Sequence, residues 1–150
     1  MQLNKKYIWV WVVLAGIFFA LPVIFFNKAD SIDPESEKIV IDGKEFSVEI
    51  VKTAETREKG LGGRKSLCGE CGMLFEFDDP GKYSFWMKDM QFPIDIIWIS
   101  GDDIVYIENN VSHNFQGVIT PPVFADKVLE LSAGTVKNLN INVGGKIIQK

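Results

Sequence analysis

Arg57, Arg64, Trp86, Lys88 and Asp95 are the side chains of this 150-residue chain whose types and placement could hold a ligand. Successive side chains of a strand point to opposite faces, so the run Tyr83–Met87 with its continuation sends Trp86 and Lys88 one way and Phe85 and Met87 the other. In the next apolar run Asp95 shares its face with Ile97 and Ile99. A carboxylate among such neighbours is costly unless it is paired or hydrogen-bonded, and Arg57, Arg64 and Lys88 are the cations at suggestive positions. The pattern predicts an ion-pair cluster around Asp95. Its residue types fit first a structural network that pins loops to the sheet, with a polar pocket for an anionic or sugar-like ligand as the competing reading, since ion-pair networks also form away from active sites. Asp95 with Lys88 would also suit a hydrolase of unidentified reaction. Trp86, Trp98, Phe85 and Phe92 are able to stack on a sugar or peptide, although aromatic residues in strands more often fill a core. Glu130, alternating with Leu129 and Leu131, reads as an exposed or rim carboxylate rather than a general acid.

Cys68 and Cys71 have the spacing of a thiol–disulfide pair. A redox centre usually starts a helix, whose N-terminus lowers the attacking thiol's pKa, whereas this pair lies in a glycine-bounded loop entering a strand. A local structural disulfide is therefore the first expectation, with a redox role as the alternative. Structural zinc needs four ligands, and two cysteines with the lone His113 fall short, so neither a metal nor another cofactor is expected. Met73, Met87 and Met90 are soft enough for copper(I), but core packing accounts for them better. The chain carries no glycine-rich phosphate cradle, no Gly-x-Ser-x-Gly elbow and no His-Glu-x-x-His.

The elements that must position these residues are short. Lys38–Ile41 and Glu45–Val51 flank Asp42-Gly43, which signals a hairpin. Thr53–Gly60 predicts one helix, with Thr53 as its cap and Gly60 as its left-handed stop. Apolar runs at Met73–Phe77, Tyr83–Met87, Ile94–Ile99, Ile104–Ile107 and Val128–Leu131 are separated by Asp, Gly and Pro punctuation. Ala133–Leu139 reads as a helical turn before a terminal strand at Lys146–Gln149. The expected fold is mainly β (α+β), a compact small barrel or sandwich of short, mostly antiparallel strands.

The segment Tyr7–Phe26 contains no charged residue and, at about 1.5 Å per residue, matches a hydrocarbon layer of about 30 Å. Lys5 and Lys6 precede it, which keeps the N-terminus cytoplasmic and directs the rest of the chain outward. Its length exceeds a signal peptide's apolar region, and Asn27 spoils the best cleavage site, after Ala29. The expected organisation is a cytoplasmic tail over 1–6, a single-pass anchor over 7–26, an acidic linker over 27–37 and an extracytoplasmic domain over 38–150. The net charge is −4, and residues 1–28 hold three lysines and no acid, which leaves −7 on the remainder. No basic run offers phosphates a surface, so nucleic acid is not an expected partner. The expected partners are the membrane and a small ligand, an envelope polymer or a membrane protein.

Arg57 with Gly60-Leu61, Arg64, GMLF at Gly72–Phe75, FWMK at Phe85–Lys88, PIDIIWI at Pro93–Ile99 and LELSAG at Leu129–Gly134 together resemble the domain of unknown function 192 family, also called uncharacterised protein family 0127. The resemblance covers about residues 45–150. It implies a compact, mainly β domain, often behind a membrane anchor or signal, and brings no established reaction and no catalytic residues. Cys68-Gly69-Glu70-Cys71 and the Gly62-Gly63 pair depart from the family pattern. The function expected is a membrane-tethered binding or accessory module, with an enzyme or a thiol–disulfide protein as the alternatives.

Overall fold

Asp42 and Gly43 both take positive φ, 48° and 79°, the backbone of a two-residue hairpin turn, and they join β1 (Ser36–Ile41) to β2 (Lys44–Val51). A computed structural model of the protein describes residues 36–150, and the tail and the anchor expected at Tyr7–Phe26 lie outside the described residues. Strand β1 pairs with β2 from Ser36, opposite Glu49. Among the described residues no helix is long and apolar enough to cross a membrane.

Helix α1 (Ala54–Lys59) begins where Thr53 closes a reciprocal capping box with Thr56. The chain then loops back into β3 (Cys71–Gly81), which lies parallel to β2, and continues through β4 (Phe85–Trp86), β5 (Ile94–Ser100) and β6 (Asp103–Val111). Strands β7 (Val118–Ile119) and β8 (Ala125–Ser132), helix α2 (Thr135–Leu139) and β9 (Ile147–Gln149) complete the order. Seven strands form one sheet in the order β6-β5-β8-β3-β2-β1-β9, while β4 and β7 pair as a separate ribbon. The mainly β expectation holds, with β2–β3 as the parallel pair among antiparallel neighbours.

The sheet curls until its two edges meet. Asp103 of β6 bridges to Lys146 just ahead of β9, and the Ile147 amide donates to the Asp102 carbonyl at 2.9 Å. Inside the curl lies one apolar cluster, built from Ile39, Phe46, Val48, Leu74, Ile97, Leu129 and Leu131, with Val136 and Ile141 closing one end. The outer face of the central strands carries a second cluster, including Met73, Phe75, Ile96, Trp98 and Val128, roofed by Leu61, Met87 and the β4–β7 ribbon. Strands β3, β5 and β8 are therefore covered on both sides. Their sequences read as nearly continuous apolar runs for that reason, as in any sheet buried on two faces.

Asp95 joins three elements inside the curl. Its two oxygens accept from the Val136 amide in the first turn of α2 and from the Asn110 amide of β6, both at 2.8 Å. The β5–β6 register slips between Ile94 and Ile96, so that two residues oppose Asp95, and Asn110 adopts φ 53° there. This bulge aims the Asn110 amide at the carboxylate. Asp95 is wholly buried, and the cations predicted as its partners are replaced by backbone amides, so the predicted ion-pair cluster does not form.

Replacing a wholly buried carboxylate strands both amide donors, each worth about 1–3 kcal/mol. Asp95→Ala should lower unfolding stability by about 3–5 kcal/mol in denaturant titrations; a loss below about 1 kcal/mol would contradict this role.

Candidate functional site

On the outer face of the sheet, cross-strand registry sets Glu49 of β2, Met73 of β3, Glu130 of β8 and Ile96 of β5 in one row. Glu130 points away from Leu129 and Leu131, as alternation requires, but the face it points to is covered. It is only 5% exposed, and its Oε2 makes no hydrogen bond among the described residues. The rim position expected for it is thus corrected: the roof built by α1, its following loop and β4 turns the outer face into a second interior. Burial pushes the Glu130 carboxyl up to about 8, against a smaller opposing pull from Arg64. The group is mainly a neutral acid at pH 7.

Glu130 forms part of the lining of a cleft of about 490 Å³. One wall is α1 with the loop through Gly62, and the other is the segment Tyr83–Lys88 with Met90. Phe75, Phe77, Tyr83, Phe85 and Trp86 supply aromatic surface, and Arg57, Glu58, Lys59 and Lys88 supply charge. The aromatic walls are locked together. Phe85 meets Phe75 edge-on at 4.9 Å between ring centres and Trp98 at 5.8 Å, while Phe77 stacks on Tyr83. The Trp98 indole donates to the Tyr83 carbonyl at 2.9 Å, which ties this wall to the core. Trp86 stays half-exposed.

The Gly62-Gly63 pair lets the chain pass close to the opposite wall. A Cβ on Gly62 would stand 3.0 Å from the Lys59 carbonyl oxygen and 3.4 Å from that of Lys88, and Gly63, at φ 78°, donates to the Asp89 carbonyl at 2.9 Å. The glycines let the two walls approach each other.

The five predicted residues part company. Arg57, Trp86 and Lys88 line the cleft. The Arg57 guanidinium donates to the carbonyls of Lys52 and Glu76 and lies over the Phe77 ring. Arg64 is drawn into a bidentate pair with Glu49, which holds Glu49 below the ordinary carboxylate range. Asp95 lies on the opposite face and lines a different cleft, beside Asn140 and Val136, so it is removed from the pocket and from any pairing with Lys88. Cys68 and Cys71 are joined as a disulfide, and neither starts a helix. Among the described residues no group of three or more His, Cys, Asp or Glu could hold a metal ion. Trp98 packs into the core as expected, while Phe85 and Phe92 pack against its margin, Phe85 also lining the cleft.

A family model for domain of unknown function 192, described as an uncharacterized ACR, matches residues 37–149. A crystal structure of a candidate transcription regulator from Sinorhizobium meliloti 1021 superposes with a TM-score of 0.74 at 29% identity, covering 77% of this chain and 95% of that one. A protein of unknown function from Novosphingobium aromaticivorans DSM 12444 also gives 0.74, at 26% identity, covering 79% of this chain and 89% of that one. No curated protein matches.

The buried acid makes stability depend on pH with a definite sign. The unfolded chain releases this proton near 4.5, whereas the folded protein keeps it to about 8, so over that window the native state binds more protons. The contribution is therefore complete below pH 4.5 and is lost as the pH rises toward 8. Glu49, with its lowered pKa, acts only on the acid side of the ordinary glutamate range. Urea titrations from pH 5 to 8 should show Glu130→Gln gaining on the wild type by several kcal/mol in total. Parallel curves for the two proteins would refute a buried neutral acid.

Proposed function

From the premise that the chain belongs to the domain of unknown function 192 family, which carries no assigned reaction, we propose that it is a ligand-binding module tethered to the outer face of a membrane. The observation that carries the binding part is Glu130: a buried carboxyl with an unpartnered oxygen, at an aromatic-walled cleft of the size that takes small molecules. A folded protein rarely strands a buried polar atom without a structural or functional reason. Here the roof over Glu130 is a locked ring cluster that leaves an opening instead of filling it. The tether rests on the uncharged run Tyr7–Phe26 with Lys5 and Lys6 before it, and an oxidising exterior suits the Cys68–Cys71 disulfide.

The two enzymatic alternatives are less favoured. Asp95 spends both oxygens on backbone amides and does not line the cleft that Lys88 lines, which leaves hydrolysis without its pair. The disulfide has no helix terminus to activate a thiolate. The regulatory role named for the Sinorhizobium protein is not carried over, because residues 29–150 bear a net −7 and no basic run.

The test uses the full chain in detergent micelles, with ¹⁵N-labelled tryptophan, against a library of sugars, carboxylates, amines and phosphates. A bound compound should shift the Trp86 indole signal saturably, and at 100-fold excess over its Kd should add about 2.7 kcal/mol of stability. Glu130→Leu should weaken that binding by roughly tenfold. A library in which nothing moves Trp86 would end the proposal, and digestion of intact cells by external protease that spared the C-terminal domain would end the tether.

A further inference from the structure

We infer that the ligand of this cleft is an anionic saccharide, held by its ring between aromatic walls, by its acidic group at the rim lysines and by a hydroxyl at Glu130. The inference rests on the binding function proposed above and specifies its ligand.

Three observations set the class. The first is the charge at the lip. Residues 29–150 sum to −7, yet the cleft is lined by Arg57, Lys59 and Lys88 against one rim carboxylate, Glu58. Lys59 and Lys88 form no ion pair among the described residues, a state shared with Lys65, Lys82, Lys127 and Lys137 elsewhere, so what marks the cleft is the excess of cations in its lining. Arg57 is held by carbonyl oxygens, which leave its charge uncancelled. Three cations against one rim carboxylate at this opening attract an anion there and disfavour an amine.

The second is the wall. Trp86, half-exposed beside Lys88, offers a flat apolar face at the mouth, a surface that takes the C–H face of a saturated ring as well as an aromatic one. The third is Glu130. A neutral carboxyl both donates and accepts a hydrogen bond, which matches a hydroxyl and does not repel an anion bound nearby. The titratable and charged groups facing it are Arg64, already paired with Glu49 from β2, then Arg57, Glu58 and Lys59 from α1, and Lys88 and Tyr83 from the opposite wall. Once Glu130 ionises, above about 8, it repels an anionic ligand.

The experiment titrates the full chain in micelles with sodium glucuronate, glucose, sodium benzoate and tyramine, following the Trp86 indole signal. Glucuronate should bind roughly tenfold more tightly than glucose, which lacks the charge, and than benzoate, which lacks the hydroxyls. Lys88→Ala should weaken glucuronate about 3- to 5-fold and leave glucose unchanged. Glucuronate affinity should fall between pH 7 and pH 9 in the wild type and stay level in Glu130→Gln. Equal binding of glucose and glucuronate, a preference for tyramine, or the same pH response in both proteins overturns the inference. If glucuronate fails while another library compound binds in a Glu130-dependent way, the ligand class falls and the binding function stands. If no compound moves Trp86, both fall.

Discussion

A sheet covered on both faces leaves its central strands no water, and every polar side chain those strands carry must find a partner, shed its charge or face a cleft. Two acidic residues on adjacent central strands meet this constraint in different ways. Asp95, on the inner face, is met by two backbone amides that a bulge and a helix start bring to it. Glu130, on the outer face, has one oxygen without a partner, keeps its proton and borders the cleft. The first arrangement is a fastening that joins β5, β6 and α2. The second is a buried acid with one oxygen left unpartnered among the described residues, at the edge of an open cleft.

The cleft follows from how the outer face is roofed. Helix α1 is only one turn and a half long and buries none of its own residues, so it covers the sheet through the loop that follows it, where Leu61 inserts. The other side of the roof, β4 with β7, is two residues wide on each strand and is anchored by Phe85 and Met87. Two small covers meeting over a wide sheet leave a gap between them. Because the aromatic walls are tied to one another and to the core, the gap is a preformed cleft rather than a loose seam. The Arg64–Glu49 pair lies along the row beside Glu130 and commits that guanidinium to Glu49, so its pull on the buried acid is smaller than the effect of burial.

Much of this architecture was legible in the residues, and the failures have a common cause. Asp42-Gly43, the Thr53 cap and the alternation of Trp86 against Phe85 and Met87 are local signals, and the structure follows each of them. Alternation with Ile97 and Ile99 marks Asp95 as an expensive carboxylate on an apolar face, which the structure bears out. Its partners are backbone amides 15 and 41 residues away rather than cations, and almost every residue type carries such an amide, so composition gives no hint of them. Glu130 was assigned to the right face, but whether that face is wet depends on the segments around residues 54–63 and 83–90, far away in sequence. Strand β7, two residues among glycine and proline, is too short to show a period. A buried glutamate between two leucines on a strand could have been suspected from the apolar flanks of Ile94–Ile99 and Met73–Phe75, which mark the neighbouring strands as interior.

The account turns on Glu130 being an un-ionised acid in the folded protein at neutral pH. The direct measurement is the carboxyl carbon shift of Glu130 in ¹³C-glutamate-labelled full chain, assigned by its loss in Glu130→Gln and followed from pH 4 to pH 10. A midpoint near 8 is what the buried, unpartnered carboxyl requires, whereas a midpoint at the ordinary value of 4.5 would contradict the account at its root.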